Sequence, residues 1–212
     1  MSDENIGSED SGHDQDRHTA KMMKKKAVRD RIMETKNKEK GLIIVHTGKG
    51  KGKSTAAFGM IFRCIAHHIP CAVVQYIKGG METGERNLIQ DNFADFCQFH
   101  TIGEGFTWET QDRERDMLLA QKAWKKSMEL ICDGHHKFIL LDEINIALRY
   151  GYLELSEIVN FLQEQKPHDV HVVCTGRNAA QELLDIADLA TEMTLLKHPF
   201  RDGVRAQSGI EF

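Results

Sequence analysis

Apolar residues come in short β-branched runs separated by longer stretches of helical character. The runs are LIIVH (42–46), CAVVQYI (71–77), a weaker one near DFCQFHTI (95–102), FILLD (138–142), VHVVC (170–174) and EMTLL (192–196). Helices are predicted over about 53–68 and 111–132, within 156–165 and within 178–187. The runs do not alternate cleanly between apolar and polar, so both faces of each strand are expected to be covered. Strands alternating with helices predict an α/β fold: a mostly parallel sheet, helices on both faces, one domain. In the 111–132 helix, Met117, Leu118, Ala120, Trp124, Met128 and Ile131 recur at mostly helical spacing and read as core.

The first forty residues follow another pattern. Residues 1–20 hold six acidic residues, one arginine and almost nothing apolar. They are expected to be a disordered acidic tail. Residues 21–40 carry nine Lys/Arg against three Asp/Glu, lack Gly and Pro, and predict a basic N-terminal helix. The domain proper is expected over 41–212.

Composition narrows the function classes. A net charge of -4 over 212 residues argues against a nucleic-acid binder. No apolar run reaches the roughly 18 residues of a membrane span, and the polar, acidic start is not a secretory signal. Five cysteines, at 64, 71, 97, 132 and 174, are scattered without a CxxC pair, as expected of buried free thiols in a reducing, cytoplasmic setting. The histidines show no metal-site spacing and read as structural or surface residues.

Candidate chemistry begins at LIIVHTGKGKGKSTAAFG, residues 42–59. An apolar strand, a glycine loop and a helix start form the context of a phosphate-binding P-loop. Gly48, Gly50 and Gly52 let the backbone curl its N–H groups inward, and the helix N-terminus favours a polyanion. Lys53 adds charge near the phosphates, and Ser54 offers a hydroxyl to Mg²⁺. The ordinary G-x-x-x-x-G-K-[ST] spacing needs glycine at 47. Thr47 stands there, and Gly48 comes one position late. FILLDE (138–143) ends an apolar strand in two carboxylates, Asp142 and Glu143. Such a strand is expected beside the first one, aiming an acid at the metal.

These motifs, together with VVQYIKG (73–79), GERNL (84–88), GFTWETQ (105–111), LLDEINIALRYGYL (140–153), TGRNA (175–179) and KHPFRDGVRAQSGIEF (197–212), resemble the P-loop ATP:corrinoid adenosyltransferases of the bacterial cobalamin pathway. The resemblance runs from about residue 17 to the C-terminus. It implies a P-loop NTPase-like fold, a homodimer, and transfer of the 5′-deoxyadenosyl group of ATP to the Co(I) of a reduced corrinoid, releasing triphosphate. It further implies dependence on Mg²⁺ (or Mn²⁺) and an ATP pose reversed relative to ordinary P-loop enzymes. Lys49 stands where the family commonly has Asn, and Ser54 where Thr is common.

The nucleotide set is then Gly48, Lys49, Gly50, Lys51, Gly52, Lys53, Ser54, Thr55, Arg63 and Arg177. Arg63 reads equally as a helix-surface charge and Arg177 as a loop ion-pair residue. Ser54 and Glu143 are the expected metal ligands; because no water is activated, Glu143 is not assigned as a base. Lys53, Lys51, the loop amides and the metal would stabilise the departing triphosphate. Phe106 and Trp108 read as core by spacing alone. By resemblance they press on the lower corrin face and remove an axial donor, which eases reduction to Co(I). By resemblance also, the N-terminal helix closes over the corrinoid site; its basic face is a candidate docking surface for a flavodoxin-type electron donor. The competing readings are a P-loop ATPase coupled to a partner protein or nucleic acid, and a nucleotide sensor without catalysis.

Overall fold

The computed structural model describes residues 9–76, 83–102 and 112–211. The chain divides into two units, Met1–Glu39 and Lys40–Phe212.

Among its described residues the first unit contains one helix, α1 (Glu9–Glu34). It starts well before the expected 21–40 span, inside the stretch expected to be a disordered tail, and stops earlier. Charge order explains the extension. Acidic residues such as Asp14 and Asp16 precede the lysines and arginines of 21–31, an order that complements the helix dipole end to end. Met22, Met23, Val28, Ile32 and Met33 are exposed on it.

The second unit is a six-stranded sheet with helices on both sides. In chain order it comprises β1 (Ile43–Thr47), α2 (Lys53–Ala66), β2 (Cys71–Gln75), α3 (Gly84–Asn92), β3 (Cys97–Thr101), α4 (Arg113–Cys132), β4 (Phe138–Asp142), α5 (Ile144–Arg149), α6 (Leu155–Glu164), β5 (His171–Thr175), α7 (Gln181–Asp185) and β6 (Leu189–Glu192). The strands lie in the order β3-β2-β4-β5-β1-β6. Every pairing is parallel. Neighbouring side chains on a strand point to opposite faces. Thus Ile43 and Val45 enter one core with α4, α5, α6 and α7, while Ile44 enters the other with α2 and α3. This division is why the strands read as unbroken apolar runs.

Several details differ from the sequence reading. β4 does not lie beside β1: β5 separates them, pairing with both. The last strand falls at Leu189–Glu192, three residues before EMTLL. Its ladder ends where its partner does, with Thr47 opposite Glu192. Leu118 is 57% exposed. The buried stripe of α4 runs through Ala120, Ala123, Trp124, Ser127, Leu130 and Ile131, and Leu118 lies about half a turn away from it. Four of the five free cysteines are buried, and Cys132 is exposed.

The entry of β1 is clasped by polar groups. The Lys166 ammonium donates to the carbonyls of Gly41, Pro167 and Val170, at 2.9–3.0 Å. Asp188 accepts from the Ile43 N–H at 3.0 Å and pairs with Lys40. Among the described residues no helix is long and apolar enough to cross a membrane.

Candidate nucleotide site

The loop between β1 and α2 is shaped by a segment far away in sequence. Gly48 has φ 97°, a left-handed conformation that penalises any Cβ. A Cβ at Gly48 would also stand 2.5 Å from the Met193 carbonyl oxygen, and one at Gly50 would stand 2.7 Å from it. The space is taken because the chain after β6 is bonded directly to the loop. The Gly50 N–H donates to the Met193 carbonyl at 2.6 Å, and the Met193 N–H donates to the Thr47 carbonyl at 2.9 Å. Thr47, which replaces the glycine of the ordinary spacing, remains the last residue of β1. Its hydroxyl accepts the Ala179 N–H at 2.9 Å and so holds the loop that follows β5. The displaced glycine therefore has a local cause: position 47 is still strand, and the turn starts one residue later.

Gly52 caps α2 in the left-handed region, and the N–H groups of the first turn face the loop without side-chain caps, the arrangement that attracts phosphate. Lys53 is buried, and its ammonium folds back onto the Gly50 carbonyl. The Lys51 ammonium pairs with the Glu211 carboxylate of the C-terminal segment. That hydrogen bond holds the Glu211 carboxyl below its usual range. Lys49, Thr55 and Arg177 are exposed around the same loops. Arg63 is set apart: it lies in the last turn of α2, ten residues beyond Lys53 and so about 15 Å along the helix axis.

The acidic end of β4 meets the loop at Ser54. The Ser54 hydroxyl donates to Asp142 Oδ1 at 2.8 Å. Thr175 donates to the same oxygen at 2.8 Å, and Gln75 Nε2 donates to Oδ2 at 3.0 Å. Asp142 is fully buried, and three donors offset the cost of removing its carboxylate from water. Because the Ser54 proton is directed at Asp142, the lone pairs of its oxygen point elsewhere. Glu143 follows in the left-handed region (φ 64°) and caps α5. Its N–H donates to Thr175 Oγ1 at 2.9 Å. Hydroxyl and carboxylate oxygens form a hard donor set that suits Mg²⁺ or Mn²⁺. Among the described residues no group of three or more His, Cys, Asp or Glu could hold a metal alone.

The structure thus brings the glycines, Lys51, Lys53, Ser54 and Asp142 into one region, with Glu143 next in the chain after β4. Phe106 and Trp108 lie outside the described residues. Sequence reasoning did not pick out Gln75, Thr175, Met193 or Glu211. A polar residue ending each apolar strand was the available signal for the first two; nothing local marks the others.

The site belongs to a chain with clear relatives. The family described as ATP:corrinoid adenosyltransferase BtuR/CobO/CobP matches residues 39–212. The chain belongs to this family. It is 64% identical to a corrinoid adenosyltransferase of Sinorhizobium sp, over the whole of both chains. It is 46% identical to that of Pseudomonas aeruginosa, over 92% of this chain and 96% of the relative. With the Escherichia coli K12 corrinoid adenosyltransferase it shares 41%, over 82% of this chain and 87% of the relative.

Proposed function

We propose that the enzyme transfers the 5′-deoxyadenosyl group of ATP to the Co(I) centre of a reduced corrinoid, with triphosphate as the second product. Family membership supports the reaction, and the observation that carries the site reading is the phosphate loop bonded to the β4 acid through Ser54. The electron pair of Co(I) attacks the ribose C5′, the carbon–cobalt bond forms, and the C5′–oxygen bond to triphosphate breaks. Negative charge grows on the departing oxygen. Lys53, Lys51, the loop N–H groups and the α2 N-terminus are the proposed groups that meet that charge. Ser54, oriented by Asp142, and Glu143 are the proposed ligands of Mg²⁺ or Mn²⁺, with the phosphates completing the set. When bound, the cation supplies further positive charge to the leaving group. Arg177 is the proposed outer contact to the nucleotide, with Lys49 and Thr55 at the rim. Arg63 would serve only a nucleotide extending along α2. Phe106 and Trp108 are proposed to crowd the lower corrin face.

We further propose a cytoplasmic homodimer, with the exposed basic stretch 21–31 as the docking surface for a flavodoxin-type reductant; free thiols throughout the chain suit a reducing compartment. High salt should slow the reductase-coupled rate while leaving the rate with chemically reduced corrinoid unchanged.

The direct test mixes the protein with chemically reduced cobalamin, Mg²⁺ and ATP. The expected products are adenosylcobalamin, read from its visible spectrum, and inorganic triphosphate. Phosphate release without corrinoid would instead indicate an ATPase, and binding without either product a sensor. Lys53→Ala should lower turnover about 10²–10³-fold; conversion at the wild-type rate would overturn the site assignment.

A further inference from the structure

β5 lies between the strand that carries the phosphate loop and the strand that ends in acids, so its last residue stands opposite His46 of β1 on one side and at the acidic end of β4 on the other. That residue is Thr175, fully buried after Val172, Val173 and Cys174. Valine would fill the same space in a strand without bringing a hydroxyl that needs partners. The hydroxyl is used twice. It donates to Asp142 Oδ1 at 2.8 Å and accepts the Glu143 N–H at 2.9 Å. One hydroxyl has one proton, so donation to Asp142 turns its lone pairs toward Glu143. The two bonds are therefore set together. The Glu143 backbone is left-handed, a conformation that an L-residue holds only when its surroundings fix it. A second tie reinforces the link between the end of β5 and the start of α5: Asn145 Nδ2 donates to the Gly176 carbonyl at 3.2 Å.

We infer that Thr175 is a positioning residue for the divalent-cation site, fixing the Glu143 main chain relative to the Ser54–Asp142 pair. This rests on the reading of Ser54 and Glu143 as cation ligands. Partners that orient ligating carboxylates are commonly worth 10–100-fold in metal affinity.

The test measures Mn²⁺ binding in the presence of ATP, by the electron paramagnetic resonance signal of free Mn²⁺, beside ATP binding without cation. Thr175→Val should weaken Mn²⁺ binding about 10-fold. Its cation-free ATP affinity should stay near wild type, an asymmetry that general loosening of the fold would not produce. Thr175→Ser keeps the hydroxyl and should restore Mn²⁺ affinity to within about twofold. If the valine variant fails to fold, Thr175→Ala is read by the same criteria. Wild-type Mn²⁺ affinity in the hydroxyl-free variant overturns the inference, as does a serine variant equally impaired. Glu143→Gln separates the two levels: unchanged Mn²⁺ affinity there sinks the ligand reading as well, whereas a weakened Glu143→Gln beside an unchanged Thr175→Val sinks only the role of Thr175.

Discussion

Ser54 and Asp142 are joined by a 2.8 Å hydrogen bond that ties the first turn of α2 to the end of β4, across the strand between them. The bond fixes the serine rotamer before any ligand arrives. Ser54→Ala removes both the oriented oxygen and a donor to a buried carboxylate. We expect kcat/KM for ATP to fall about 10–100-fold, with the Mg²⁺ concentration for half-maximal rate rising in step. Ser54→Thr should retain most activity, because it keeps the hydroxyl. Steady-state kinetics over a Mg²⁺ series checks both.

Gly48 and Gly50 leave no room for a methyl group against Met193. Gly48→Ala combines that clash with a left-handed backbone, so it should be the more damaging of the two. A loss of about 1–3 kcal/mol in local stability is expected, concentrated in the loop. Isothermal titration should show ATP binding weakened at least tenfold while the far-ultraviolet circular dichroism spectrum stays native.

Glu211 pairs with the Lys51 ammonium, which is proposed above to meet phosphate, so on that reading the carboxylate and the phosphate compete. The pair is solvent-accessible and so contributes little to stability. Glu211→Gln should leave the melting temperature nearly unchanged and lower the ATP concentration for half-saturation by about two- to fivefold, the effect of roughly 0.5–1 kcal/mol. Weaker ATP binding in this variant would show instead that the carboxylate supports the loop.

Asp188 gives the fold a dependence on acid. Burial pushes its carboxyl upward, but the hydrogen bonds from Lys40 and the Ile43 N–H and the charges of Lys40 and Lys166 outweigh burial and hold it below the usual range. A depressed folded value means that the ionised form stabilises the fold. Its contribution is complete above the ordinary carboxylate range near 4 and fades as pH falls through the lower folded value. Asp188→Asn should cost about 1–2 kcal/mol at pH 7. Urea titrations at pH 7, 4 and 2.5 should show the gap between wild type and variant closing toward acid.

The inner strands were legible because fully covered parallel strands must be apolar on both faces. The edge strands were not covered in this way, β3 being partly buried and β6 exposed, and the EMTLL run meets β6 at Glu192 alone. The short helices α3 and α5 were missed: GERNLIQDN lacks an apolar stripe, and INIALR is too short to show a period. Strand order was not legible either. The placement of β5 between β1 and β4 depends on packing between distant segments, and no local spacing records it. In the site, the loop glycines, Lys53 and Ser54 could be read directly, because a phosphate cradle needs those residue types at those intervals. Asp142 and Glu143 were visible as a pair, and Glu143 was expected as a metal ligand. What was not legible is the enclosure of Asp142 by Ser54, Thr175 and Gln75 and the left-handed backbone of Glu143.

Met193, which backs the glycine turn, emerges from the ribosome some 140 residues after Gly50. A nascent chain halted before β6 would carry the whole glycine–lysine signature and yet lack the wall that gives it shape. The loop sequence by itself is therefore an incomplete cradle: its shape is finished only by the segment that follows β6.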